Sequence, residues 1–371
     1  MSFVIVLDNV DHHEAELQER VFVVGQSLAD TWPAAVFISL RPDTFFRSRK
    51  AGSVAAYQPR VFTVSPPRAE LVISKRLVFA RDQLLEKGRL ESMPENLTID
   101  SDKLLAYLDV LIEAFNSNEQ LKEFVENLSS GSIRRALDFV TTFVGSGYVA
   151  TSRILEAYER GDLYTVPMHE FIRSVMYGDY SYYDPQASEV SNVYDIFSVD
   201  GREHFLTPIL LAACQAQAAS ISDGFIDEGA MYQHLQALGY SAEQIESHID
   251  RSIDRKLLQS GREGGPRKLR VTSAGAYMYK RMMAYFTYLD AMVVDTPITD
   301  PVVRAKIRDI YTIKDRTERA RQFCDYLDSC WDFEGQETSF SWPIVSAALR
   351  DDIASVDLRA ERTRLRRELN R

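Results

Sequence analysis

The stretch Phe3-Val-Ile-Val-Leu-Asp-Asn-Val-Asp11 decides how this chain is read. An unbroken apolar run rich in β-branched residues predicts a parallel central strand covered on both faces. Asp8 then stands at its carboxyl end. Downstream, Glu14 to Asp30 places Leu17, Val21, Val24 and Leu28 on one helical stripe. Ala34–Leu40 reads as a second buried strand. Arg41-Pro-Asp-Thr leaves it, and Pro42 bars further pairing. A short third strand is expected over Arg60–Val64, stopped by Ser65-Pro66-Pro67. Strand, helix, strand, loop, strand is the grammar of an α/β sheet.

From Pro67 onward the periodicity turns helical, with helices expected over Arg68–Lys87, Ser101–Ser117, Asn118–Asn127, Ser132–Val144 and Val149–Arg160. Ser130 and Gly131 supply the start signal of the fourth. Tyr177 to Phe197 holds Tyr177, Tyr180, Tyr182, Tyr183 and Tyr194 among Asp and Gly, and reads as an ordered loop clamped by aromatics. Residues 205–290 read as a third unit. Helices cover His204–Ala219 and Asp227–Leu238, and Ser241-Ala-Glu-Gln244 is a capping box opening a helix to Asp254. Strands Lys256–Ser260 and Leu269–Thr272 flank the tip Gly261–Arg267, and Ser273–Ala284 closes the unit. Three helices, a hairpin with a glycine-rich tip and a closing helix describe a winged helix. The last helix, Val345–Arg371, is amphipathic with an Arg-rich end.

The chain has 371 residues, enough for two or three domains, and a net charge of −11 that excludes a uniformly basic nucleic-acid coat. The charge is uneven. Residues 41–90 carry an excess of seven positive charges, residues 161–260 an excess of ten negative ones, and 262–281 return to five positive. Cys214, Cys324 and Cys330 are too sparse for a disulfide framework, and no CxxC pair exists to hold zinc. The longest apolar stretches, Phe3–Leu7 and Leu206–Cys214, fall far short of a bilayer span, and no signal peptide is legible, so a cytoplasmic protein with no membrane role is expected.

Four apolar residues followed by an acid form the arrangement that holds Mg²⁺ at the edge of a nucleotide-binding sheet, and Asp8 is that acid. Many ATPases place Glu next, as base for the attacking water. Here Asn9 follows, whose amide accepts no proton, and Asp11 is a substitute three residues on. The second strand ends in Ser39 and Arg41, a position resembling the one where AAA+ and STAND ATPases carry a polar group that can feel the γ-phosphate. Gly131-Ser-Ile-Arg134-Arg135-Ala-Leu137 fits a G-x-x-R-x-x-L pattern in which the Arg reaches phosphates, a task suited to a permanently charged fork. The bland readings are a strand that merely ends in Asp and a helix with two solvated Arg.

With these residues in order, the chain resembles P-loop ATPases of the STAND and Cdc6-like AAA+ groups over residues 3–285. Val4–Asp11 looks like their Walker B. Val61–Pro67 resembles the turn into their lid, and Met168-His-Glu-Phe-Ile-Arg and Tyr182-Tyr-Asp-Pro resemble their linker to the winged helix. The resemblance implies an α/β P-loop NTPase half-core (1–66), a mainly α lid (67–165), linker and winged helix (166–290) and C-terminal helices (291–371). It implies ATP and Mg²⁺ as cofactors of a complete protein that acts as a nucleotide-dependent switch in signalling, defence or nucleic-acid handling. Metal would be held by Asp8, water handled by Asn9 or Asp11, and nucleotide contacted by Ser39, Arg41, Arg134 and Arg135. The family also needs G-x-x-x-x-G-K-[ST] ahead of Walker B, yet none of the 17 glycines here is followed by Lys. The expectation is that an N-terminal ATPase segment is missing, and that this chain alone binds no nucleotide. The other partners implied are a further copy of the chain and a protein met through the winged helix.

The alternative is a non-enzymatic winged-helix DNA-binding or regulatory protein with a degenerate core. Its wing would offer Arg262, Arg267, Lys268 and Arg270 to phosphates. The presumed recognition helix, however, carries Glu243, Glu246, Asp250 and Asp254 against Arg251 and Arg255, which predicts weak DNA binding at best. His12-His13 beside Asp8 and Asp11 reads as loop rather than metal site, and the tyrosines and cysteines read as packing.

Overall fold

The structure is a computed structural model that describes every residue except 1–2, 11–12, 41–59, 63, 89–100, 149–153, 155, 157–159, 161–165, 262–265, 308–311, 334 and 370–371. The chain divides into two compact units, Met1–Ser65 and Pro66–Arg371.

In the first unit, strands β1 (Phe3–Leu7) and β2 (Ala34–Ile38) pair in parallel, with Phe3 opposite Ala34 and Leu7 opposite Ile38. Helix α1 (Ala15–Thr31) connects them, as a parallel pair requires. It covers the side carrying Leu7 and Ile38. A Cβ on Gly25 of α1 would lie 2.8 Å from Ile38 Cδ1, so the missing side chain brings the helix close. The other face differs from the expectation of two-sided burial. Val4 is 68% exposed, Val6 63% and Phe37 48%. Alternate residues of a strand point to opposite faces, and one helix covers one of them. Residues 60–62 and 64 are not in a strand, so the third strand expected there is not seen among the described residues.

The second unit opens with four helices, α2 (Ala69–Lys87), α3 (Ser101–Ser117), α4 (Glu119–Ser129) and α5 (Ile133–Gly145). Their ends follow local rules. The Asn118 and Ser132 side chains cap α4 and α5 by accepting from the N–H of Leu121 and Arg135. Between them Ser130 and Gly131 both take left-handed backbone, at φ 49° and 76°, which turns the chain back sharply. Helix α6 (Met168–Tyr177) docks by Phe171, fully buried against Phe115, Phe124 and Phe143 at ring distances of 5.0–6.2 Å.

Residues 178–200 are irregular and held by tyrosines, and Gly201–Phe205 forms a single 3-10 turn. Tyr183 donates to the Val190 carbonyl, Tyr194 to that of Met283 and Tyr288 to that of Ser191. Next come α7 (Leu206–Ala218), β3 (Ile226–Asp227), α8 (Glu228–Ala237), α9 (Ala242–Asp254), β4 (Leu258–Gly261), β5 (Lys268–Val271) and α10 (Ser273–Lys280). The strands form one antiparallel sheet in the order β3-β5-β4. Two-residue β3 is too short to leave a sequence pattern. The capping box at Ser241 and Gln244 is formed in both directions. Helices α11 (Phe286–Met292), α12 (Pro301–Lys306), α13 (Ile313–Cys330) and α14 (Trp342–Leu369) complete the chain. Trp342 is buried against Phe205 and Tyr194, so these helices share one core with residues 178–280. Among the described residues no helix is long and apolar enough to cross a membrane.

Candidate functional site

Strand pairing sets the first group of site residues. Leu7 lies opposite Ile38, and the Ser39 N–H donates to the Leu7 carbonyl at 2.9 Å. Asp8 and Ser39 therefore stand side by side at the carboxyl edge of the parallel pair, both exposed. Ligands of open α/β sheets bind outside this edge. Asn9 takes left-handed backbone at φ 58°, and its N–H donates to Asp8 Oδ1 at 2.9 Å. That turn leaves the second carboxylate oxygen of the exposed Asp8 without a hydrogen-bond partner among the described residues. A carboxylate beside a hydroxyl offers hard oxygen ligands that suit Mg²⁺, a cation that keeps several waters and needs few protein groups. No cluster of three His, Cys, Asp or Glu suited to a metal occurs among the described residues. The donor set thus fits a metal shared with a phosphate ligand and not an all-protein cage. Asp11, His12 and Arg41 lie outside the described residues.

Arg134 and Arg135 begin α5 in the second unit. Gly131 and Leu137 of the same pattern have structural tasks, one in the left-handed turn and one packed against the core. Arg135 is committed. Its Nε and Nη2 both donate to Glu189 Oε2, at 3.2 and 2.9 Å, and its guanidinium lies 5.8 Å from the Phe139 ring. Arg134 points to solvent and has no ion pair among the described residues. It is the arginine of this pair still able to take an external anion.

The hairpin residues are placed differently from what a phosphate-binding wing needs. Arg267 forks Glu228 through Nε and Nη2 and donates to Asp250 Oδ1 at 2.7 Å through Nη1. Arg270 reaches Gln259 and the Asp223 carbonyl and lies 4.4 Å from the Phe225 ring. Lys268 is half-buried on β5, and Arg262 lies outside the described residues. On α9, Glu243, Glu246, Asp250 and Asp254 are exposed along one stripe. Arg251 and Arg255 turn inward, to Asp195 and to the Pro185 carbonyl.

One group was not legible beforehand. Glu203 is fully buried and accepts from the N–H groups of Phe197 and Ser198, the Ser198 hydroxyl, Gln244 Nε2 at 3.3 Å and His248 Nε2 at 3.0 Å. His248 is 1% exposed, and its Nδ1 meets the Thr207 hydroxyl at 2.8 Å. Burial pushes the Glu203 carboxyl up, but the hydrogen bonds from His248, Ser198, Phe197 and Gln244 outweigh it and hold it down to about 2. The network ties the tyrosine-held loop to the inner face of α9. The cysteines are unpaired, with Cys214 and Cys324 buried, and burial pushes the Cys214 thiol up to about 12.

Comparison with known proteins finds no matching family model, no matching curated protein and no matching solved structure.

Proposed function

We propose that this chain is the C-terminal part of a nucleotide-dependent switch of the AAA+ or STAND ATPase type, completed by a phosphate-cradling loop from another segment. The observation that carries this reading is Asp8 beside Ser39 at the shared carboxyl edge of two parallel strands joined by α1. Asp8 would hold Mg²⁺ directly or through water, and the metal would supply neutralisation of triphosphate charge. Asn9 or Asp11 would orient water, and Ser39 and Arg41 would sense the terminal phosphate. Arg135 is held by Glu189, so the lid role falls to Arg134.

MgATP binding and hydrolysis test this. The 371 residues alone lack the glycine–lysine cradle and should bind MgATP with a dissociation constant weaker than about 10 μM by calorimetry. In a protein that joins them to such a cradle, Asp8→Asn should abolish hydrolysis. Arg134→Ala should lower the rate by about 10²-fold while changing ATP affinity less, because a lid arginine acts on charge that develops during transfer. Hydrolysis at the parent rate in both variants would sink the reading.

A second reading concerns residues 206–280. Their helix–strand–helix–helix–hairpin order, with strand order β3-β5-β4, supports a winged helix. The acidic stripe of α9 and the internal commitment of Arg267 and Arg270 favour a basic protein surface over DNA as its partner.

A further inference from the structure

Three helices of the second unit bring three half-buried arginines to one buried carboxylate. Asp290 on α11 is 2% exposed. Arg316 on α13 donates to Asp290 Oδ2 through Nε at 2.8 Å and also through Nη2. Arg319, one turn further, donates through Nη2 to Asp290 Oδ1 at 2.7 Å and to its carbonyl at 3.3 Å. One carboxylate thus already serves two guanidinium groups. Arg173 on α6, which packs against α11, adds a third. It has no hydrogen-bond or ion-pair partner among the described residues, and its Nε is buried. The Nε of Arg319 is likewise buried without a partner.

Desolvated charge is costly unless it is paired, and a buried polar hydrogen without an acceptor forfeits the water it gave up. Among the described residues, three cations around one carboxylate leave a surplus of two positive charges. Arg173 registers this: its guanidinium is lowered by burial first and next by the like charge of Arg316, which acts more strongly than the attraction of Asp290. Asp290 orients two of the three forks and cannot neutralise the set. Arg319, alone of the three arginines, also forms part of the wall of a cavity of about 440 Å³, with Arg304, Asp295, Thr296 and Ile298, so one edge of the cluster borders open volume. Arginine is suited to such a site because its rigid fork matches the oxygens of a tetrahedral anion.

We propose that Arg173, Arg316 and Arg319, arranged around Asp290, bind a phosphate-type dianion, either free phosphate or the phosphate group of a small ester. The anion would accept from the unpartnered Nε groups and balance the charge. This site lies within the second unit, and its ligands belong to none of the groups assigned above to ATP.

The test is thermal unfolding and calorimetry of the whole chain in inorganic phosphate, sulfate or AMP, each against chloride at matched ionic strength. Phosphate should raise the unfolding temperature to a plateau, with a dissociation constant below about 1 mM. Arg173→Met should lose the phosphate-dependent rise and should be no less stable than the parent in chloride, because it removes a charge with no ion-pair partner among the described residues. Arg173→Lys keeps the charge without the fork and should bind about tenfold more weakly. Phosphate binding equal to that of AMP assigns the site to the free ion, and tenfold tighter AMP assigns it to a phosphate ester. No phosphate-dependent rise in the parent, an undiminished rise in Arg173→Met, or a strong loss of stability of that variant in chloride would each overturn the proposal.

Discussion

Glu203 shows what a single residue can hold in place. Five donors from two segments, the loop at Phe197-Ser198 and helix α9, converge on its carboxylate, so its charge is favoured inside the protein although the side chain has no contact with solvent. Its folded-state value near 2 lies below the ordinary carboxylate value of 4.5. The sign follows. The stabilisation is fully present above about pH 4.5 and is lost as pH falls towards 2, and the shift corresponds to roughly 3 kcal/mol. Urea unfolding of the whole chain as a function of pH should show that loss, and Glu203→Gln should flatten it. The variant should also be less stable at neutral pH by about 3 kcal/mol, because His248 loses its charged acceptor. An unchanged acid limb in the variant would mean that the carboxylate does not set it. Arg267 makes the converse point. A basic residue beside a glycine-rich tip reads as a phosphate ligand, yet its three donating nitrogens are taken by Glu228 and Asp250.

At the scale of elements, close approach decides more than propensity. Gly275 in α10 lies against the segment leading into β4, where a Cβ would stand 2.2 Å from the Leu257 carbonyl oxygen and 3.1 Å from Val271 Cγ2. The neighbour is backbone, itself bonded to the Thr272 N–H at 3.0 Å, and it cannot swing aside as a side chain can. Gly275→Ala, ordinarily favourable in a helix, should therefore destabilise the protein by about 1–3 kcal/mol in denaturant unfolding. A variant as stable as the parent would show that α10 is free to shift away from the hairpin. Gly25 meets a softer neighbour, the tip of Ile38, so the same substitution there should cost less. The sheet of the first unit marks the limit of element-level reading. The apolar run of β1 was expected to be covered on both faces, but α1 covers one, and Val4 and Val6 face outward.

For the molecule as a whole, the distribution of unpaired charge ranks the partners. The exposed stripe of α9 is acidic, while Arg251, Arg255, Arg267 and Arg270 are drawn into internal contacts. Phosphate contacts dominate affinity for nucleic acid, and their strength falls steeply with salt. The whole chain should therefore bind random or selected DNA duplexes more weakly than about 10 μM in fluorescence anisotropy at about 0.15 M salt, with little sequence preference. Tight, sequence-selective binding at that salt would promote the DNA-binding alternative over the protein-contact reading of residues 206–280.

The sequence by itself determined what depends on neighbours within a few residues. The helices of residues 69–145 follow their 3.6-residue periodicity, and the capping box at Ser241-Gln244 follows from cap chemistry, whereas Ser130 and Gly131, expected to start α5, form a left-handed turn ahead of its cap Ser132. The hairpin strands β4 and β5 were legible for the same reason, whereas β3 exists through pairing with β5 and left no pattern. The carboxyl-edge position of Asp8 follows from an apolar strand that ends there. Only the tertiary structure decided which charged residues remain available. Arg134 and Arg135 are adjacent in sequence, yet one faces solvent and the other is paired with Glu189, 54 residues away. Glu203 meets His248 across 45 residues, and Asp290 meets Arg316 across 26. A charge carries no sequence mark of its eventual partner, because that partner is set by how helices pack and not by local spacing.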